Sequence, residues 1–389
     1  MKKDITISED IKYIGVDDHD IDLFEGQYVV PNGISYNSYI IKDEKIAVMD
    51  TVDRRKSKEW LDNLEKELNG KEPDYLVISH MEPDHSYNIG ALAEKYPKMK
   101  IVGNDKIFEF VKQFFDIPNL DERKVVVKET EELNLGKHIL QFFMAPMVHW
   151  PEVMVSYETT EKIVFAADGF GKFGTLDTDE DWDCEARRYY FNIVGKYGMQ
   201  VQMLLKKLAT LDVKMICPLH GPILKENLGH YIGKYDIWSK YEAEDDGVFV
   251  AYSSIHGNTE NAVNELVELL NKNGAKKVAV ADLTRDDLAE AIEDAFRYDK
   301  VIFASSTYNA GVFPIMESFL TQLAHKNYQN KKVGIIENGT WAPMAGKVMK
   351  DIVSTMKNIT LCDTIVTIKS RLNDESRVQM ENLVKEILN

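Results

Sequence analysis

Just behind the apolar run YLVI (75–78), the segment ISHMEPDHS (78–86) places His80, Glu82, Asp84 and His85 within six positions. Two imidazoles and two carboxylates crowded into a plain core would desolvate or repel one another. A dication turns the same crowding into attraction. Pro83 disfavours a helical residue before it and removes a helix donor, so the cluster is expected on a turn at a strand end. The chain therefore needs a fold that ends an apolar strand on a ligand-rich turn.

Three further ligand types sit in similar settings. His149 follows HILQFFMAPMV, Asp168 ends KIVFAAD ahead of Gly169, and His220 follows VKMICPL ahead of Gly221. Taken singly, a histidine after a strand is an ordinary structural residue and an aspartate before glycine an ordinary turn residue. Together they form a series in which four strands deliver ligand-type side chains at their C-terminal ends, where an α/β scaffold brings distant segments together on rigid supports.

The 389 residues, 44% of them apolar, suffice for two cores. The polar run KYEAEDDG (240–247) marks the boundary, near Asp246, giving domains 1–246 and 247–389. Beyond it, VFVAY (248–252), KKVAVADL, KVIFAS (300–305), KKVGIIE (331–337) and IVTIKS alternate with amphipathic stretches, as expected for βαβ units in a doubly wound parallel sheet of flavodoxin size. Before the boundary, YNSYII, KIAVMD, DYLVIS, KIVGN, HILQFFMA, EVMVSYE, KIVFAAD and VKMICP read as strands. Helices are expected over KSKEWLDNLEKELNG and along a long stretch from about Trp182 to Leu211. This half reads as a layered α/β sandwich. No fixed-period repeat or low-complexity tract occurs.

A formal charge of −17 sets the surface against phosphate backbones and anionic lipid, so neither nucleic acid nor membrane is an expected partner. Cys184, Cys217 and Cys362 form no C-x-x-C pair, which points to a reducing compartment. With no apolar leader and no window of about 20 apolar residues, the chain is expected to be soluble and cytoplasmic.

After VFVAY, the turn SSIHGNTEN presents Ser254, His256, Gly257, Asn258 and Thr259 at a strand-to-helix junction, a setting that suits a phosphate. Hydroxyls there are also plain N-cap choices, but the absence of G-x-G-x-x-G disfavours a dinucleotide. Two more strand-end loops add glycine with an aromatic: SSTYNAGVFP, with Tyr308, Asn309, Ala310 and Gly311, and ENGTWAPMAG, with Asn338, Gly339, Thr340 and Trp341. Three such loops on one sheet edge favour FMN over the alternative of core or surface aromatics. The first loop resembles the flavodoxin phosphate loop.

The series His80-x-Glu82-x-Asp84-His85, His149, Asp168, His220 resembles the metallo-β-lactamase fold in its flavodiiron variant, and with the flavodoxin-like half the resemblance spans essentially the whole chain. Hydrolytic relatives carry His-x-His-x-Asp-His and a zinc pair. Glu82 replaces the second imidazole here, a harder and more anionic donor that suits iron. The resemblance implies an αββα sandwich in which His80, Glu82 and His149 hold one iron, Asp84, His85 and His220 the other, and Asp168 bridges both. His230 is the alternative last ligand; the context PLHGP favours His220. Many members have Phe-His-Gly where this chain has Phe24-Glu25-Gly26, so Glu25 bears on substrate preference. His19, His138 and His325 are expected at the surface.

The resemblance implies an oxidoreductase that reduces dioxygen to water, nitric oxide to nitrous oxide, or both, at a di-iron centre fed through FMN. A head-to-tail homodimer or dimer of dimers is implied, with a separate donor such as rubredoxin or reduced F420, since the sequence shows no rubredoxin-like cysteine pairs and no NAD module. The alternatives are a zinc hydrolase with an appended flavodoxin domain and a pure electron-transfer flavoprotein.

Overall fold

The computed structural model describes residues 5–389. By contacts the chain separates into two units, Met1–Tyr190 with Met199–Asp236, and Phe191–Gly198 with Ile237–Asn389. That division falls inside the helix Leu228–Ser239, ahead of Asp246.

The first unit is built on two sheets. One has six strands in the order Ile11–Tyr13, Tyr39–Ile41, Ala47–Met49, Tyr75–Val77, Lys100–Gly103 and Lys124–Val126. It is antiparallel at its first edge and parallel from Ala47–Met49 onward. The other orders Glu132–Asn134, Ile139–Met144, Met154–Glu158, Ile163–Phe165 and Met215–Cys217, with only the last pair parallel. The expected strand runs all fall on these elements, and helices such as Ser57–Leu68 bury one apolar stripe, here Trp60, Leu64 and Leu68. This is the expected αββα sandwich.

Two local expectations are corrected. The ligand-rich segment is not all loop, because Pro83 opens a single helical turn, Pro83–Ser86. Proline at the first helical position lacks only a donor that would go unpaired anyway. The long helix also breaks into Trp182–Tyr189, a π-helical turn at Tyr190–Val194, a short 3-10 turn at Gly195–Tyr197, and Gly198–Leu208.

The second unit is a sheet of five parallel strands, ordered Val278–Asp282, Asp245–Ser253, Tyr298–Tyr308, Lys332–Asn338, Thr360–Ile368. Val248 and Val250 face a core with Leu266, Leu270, Met380 and Leu383, while Phe249 and Ala251 are buried on the opposite face. Burial on both faces is why these strands read as continuous apolar runs rather than alternations. Strand order reverses between Asp245–Ser253 and Tyr298–Tyr308, and the crevice outside the carboxyl ends there is where such sheets bind ligands.

Candidate metal centre and flavin pocket

Backbone hydrogen bonds hold the ligand turns of the first unit in place. Ser79 gives its N–H to Asp50 Oδ1 at 2.6 Å and takes the Met154 N–H of the facing sheet at 3.1 Å. The His85 carbonyl accepts from both the amide and the hydroxyl of Thr51, at 2.8 and 2.7 Å. Ala167, at φ +50°, turns the chain so that Asp168 leaves the strand end toward the other ligands. Gly221 sits at φ +77°, and a Cβ there would meet Lys172 Cγ at 2.7 Å, so the turn after His220 requires glycine.

Asn37, which the sequence reading missed, fixes that same turn. Buried completely, it donates from Nδ2 to the carbonyls of Pro218 (2.9 Å) and Gly221 (2.8 Å), and its own N–H meets Leu219 O at 2.8 Å. Replacing it with alanine strands buried carbonyl groups, and Asn37→Ala is expected to lower stability by about 2–4 kcal/mol. Denaturant unfolding checks the value, and a parallel iron assay should show weaker retention because His220 loses its support.

Seven side chains converge on one pocket. His80, Glu82, His149 and Asp168 form one group whose donor atoms lie within 4.8 Å of one another, and Asp84, His85 and His220 form another. Asp168 faces both: Oδ2 lies 3.3 Å from His80 Nε2 and 3.4 Å from His149 Nε2, while Oδ1 lies 3.2 Å from His85 Nε2 and 3.7 Å from His220 Nε2. His230 is elsewhere, 2.6 Å from Asp183. His19 and His325 are exposed, as expected, but His138 is completely buried, which corrects its expected place at the surface.

The chemistry of this set calls for cations. The oxygens of Asp84 and Asp168 are buried and receive no well-formed hydrogen bond. His85 Nε2 and His220 Nε2 stand 3.0 Å apart, so two lone pairs face one point unless one ring gives a proton to the other. Burial opposes charge on His80, yet Asp168, Glu152 and Glu82 hold it well above the usual imidazole range. Burial opposes charge on His149 too, and Asp168 with Glu82 keeps it at about 9. Asp84 is pushed up to about 7 by burial, with Glu82 and Asp168 adding repulsion. The carboxylates thus draw protons onto His80 and His149 wherever a metal does not supply the positive charge, whereas burial holds His220 below the usual imidazole range. Imidazole and carboxylate without thiolate is a donor set that fits iron.

Around this set lies a second layer absent from the sequence reading. Glu152, fully buried, accepts from His80 Nδ1 at 2.7 Å and from the Met81 N–H at 2.9 Å, which leaves Nε2 to face the pocket. The Ser35 carbonyl does the same for His220 Nδ1 at 2.7 Å. Phe24, Tyr36 and Tyr189 wall in the His220 ring, at 5.4, 5.9 and 5.5 Å between ring centres. Glu25 follows Phe24 at the tip of a hairpin, at φ +50°. Its carboxyl is pushed up to about 7 by partial burial and then by the charge of Glu82.

In the second unit, a cavity of about 530 Å³ opens at the carboxyl edge of the sheet. Of the residues singled out in the sequence, Ser254, His256, Asn258, Thr259, Tyr308, Asn309, Ala310, Asn338, Gly339, Thr340 and Trp341 line it; Gly257 and Gly311 do not. Gly257 instead caps the helix Asn258–Lys272 at φ +86°. The sequence reading missed Ser306, Thr307 and Ser370, which also line it. Thr259 joins the loops, its hydroxyl 3.0 Å from Ser306 Oγ and 3.4 Å from Asn338 Nδ2. Trp341 is 91% exposed, an aromatic face free to stack.

Comparison with known proteins agrees with this description. Residues 34–221 match the ODP family beta lactamase model and residues 249–370 a flavodoxin domain model. An anaerobic nitric oxide reductase flavorubredoxin of Aliivibrio fischeri is 29% identical, over 87% of this chain and 70% of the relative. The solved structure of rubredoxin oxygen:oxidoreductase from Desulfovibrio gigas matches with a TM-score of 0.90 and 26% identity, covering 98% of this chain and 97% of that one. A flavo di-iron protein of Thermotoga maritima matches at 0.87 and 26%, covering 97% and 96%.

Proposed function

Since the chain belongs to the flavodiiron proteins, oxidoreductases that combine a di-iron centre with FMN, we propose that it reduces dioxygen to water, with electrons relayed through FMN from a separate donor. The observation that carries this reading is Asp168, buried and facing both imidazole-carboxylate groups at once.

In this proposal His80, Glu82 and His149 hold one iron, Asp84, His85 and His220 the other, and Asp168 both. An iron pair held there would supply one-electron redox chemistry toward a diatomic acceptor, and FMN in the second unit would supply the exchange between paired and single electrons. The protein's own work is to hold this arrangement rigid and dry. Glu152 and the Ser35 carbonyl orient His80 and His220, and the Phe24, Tyr36 and Tyr189 rings exclude water on the His220 side.

The names of the curated relatives favour a second reading in which nitric oxide is reduced to nitrous oxide at the same site. The donor proposed is rubredoxin or reduced F420, and the assembly a head-to-tail homodimer or dimer of dimers. Among the described residues no helix is long and apolar enough to cross a membrane.

Anaerobically reduced, iron-loaded protein titrated separately with oxygen and nitric oxide tests the reading. Oxygen should be consumed without build-up of hydrogen peroxide. Peroxide at the yield of an iron-free sample would refute it, and nitrous oxide from the second titration alone would select the other acceptor.

A further inference from the structure

His138 lies in the first unit, in the turn between the strands Glu132–Asn134 and Ile139–Met144. Although it reads as a surface residue, it is completely buried and surrounded by carboxylates. Its Nδ1 is 3.0 Å from Glu158 Oε1, and Glu158 accepts only, so Nδ1 is the donor there. Glu158 is itself fully buried and held by the Thr160 and Glu161 N–H groups at 2.9 and 2.6 Å. With Nδ1 thus engaged, Nε2 points outward, 3.3 Å from Asp10 Oδ2 and 3.9 Å from Glu161 Oε1.

This repeats the arrangement around His80, where Nδ1 meets buried Glu152 and Nε2 faces Glu82 and Asp168 at 3.1 and 3.3 Å. The distance from Nε2 to Asp10 Oδ2 is within hydrogen-bond reach and is also one that two ligands of a shared cation would take. A charge-assisted imidazolium-carboxylate bond closes to about 2.7–2.9 Å. Zinc bonds of about 2.0–2.2 Å in tetrahedral geometry separate neighbouring donor atoms by about 3.3–3.6 Å. The Asp10 contact of His138 Nε2 has the second spacing, and Glu161 at 3.9 Å would close by a few tenths of an ångström to join it. Charge points the same way: Asp10, Glu158 and Glu161 surround the ring, and Asp43 accepts the His138 N–H at 2.6 Å. Among the described residues the cation paired with this group is Lys137, 2.6 Å from Asp10 Oδ2, 59% exposed and free to swing aside.

We propose that Asp10, His138 and Glu161 form a further metal site that takes one divalent transition cation such as zinc, with Glu158 orienting the imidazole and water completing the shell. The ion would tie the segment entering the edge strand Ile11–Tyr13 of one sheet to two turns of the other, joining the layers at the end of the sandwich.

The test uses iron- and flavin-loaded protein dialysed against micromolar zinc, with zinc and iron counted per chain. One added zinc at unchanged iron content is expected. The half-buried, foldable variant Glu161→Gln, together with Asp10→Asn, should weaken its retention about tenfold or more, whereas the buried His138→Gln should abolish it. No added zinc, zinc gained only as iron is lost, or zinc retained equally by Glu161→Gln and Asp10→Asn would overturn the proposal and leave a buried histidine hydrogen-bonded to carboxylates.

Discussion

Asp168→Ala should strip most of the iron from the protein and abolish reduction of its acceptor, while the flavin spectrum stays that of the parent. Among the described residues Asp168 is the one carboxylate whose two oxygens face different imidazole groups, at 3.2–3.7 Å from four ring nitrogens. Loss of an outer partner alone costs roughly 10–100-fold in metal affinity. Removal of a ligand shared by both ions must cost more, and it also removes the charge that balances them. The cavity proposed for FMN belongs to the other unit and is lined by none of these residues. Iron assay and absorbance on one sample decide the matter. An Asp168→Ala variant that keeps its iron would mean that Asp168 does not bridge.

The converse separation should come from Ser254→Asp. Ser254 Oγ accepts from the N–H groups of Gly257 and Glu260 at 3.1 and 3.3 Å, at the start of the helix Asn258–Lys272. Aspartate is as good an acceptor there, so the fold should survive. It would nevertheless put a carboxylate in the loop expected to hold the FMN phosphate. A like-charge contact near 4 Å at a protein surface costs about 4 kcal/mol, roughly a thousandfold in affinity. The variant should purify without flavin, keep its iron, and fail to accept electrons from any donor. Fluorescence titration with FMN measures the loss, and affinity within tenfold of the parent would place the phosphate elsewhere.

The legible parts of this molecule were those carried by local pattern. The strands of the parallel sheet announce themselves because both faces are buried, as with Val248 to Ala251. The seven candidate ligands were legible because each follows a recognisable apolar run. Other features depend on partners far off in the chain. Nothing near Asn37 foretells its bonds to Pro218 and Gly221, and nothing near Glu152 foretells His80. His138 looks exposed between Lys137 and a short strand, and its burial follows from the antiparallel register that sets Leu140 opposite Glu158. Pro83 reads equally as a breaker or as the opening of a helix, and packing chose the second. In the long helical stretch, the π-helical turn at Tyr190–Val194 runs into Gly195, and that glycine with Gly198 was the signal for the break that the sequence reading passed over. The cavity of the second unit was legible in its three loops but not in Ser370, which follows the strand Thr360–Ile368.

The central claim is that two iron ions sit on either side of Asp168. Anomalous diffraction from crystals of the reconstituted protein, measured on both sides of the iron absorption edge, tests it directly. Two iron peaks are predicted, one bounded by His80, Glu82 and His149 and the other by Asp84, His85 and His220, with the Asp168 carboxylate between them. A single peak, a signal that appears only at the zinc edge, or iron outside these side chains would contradict it.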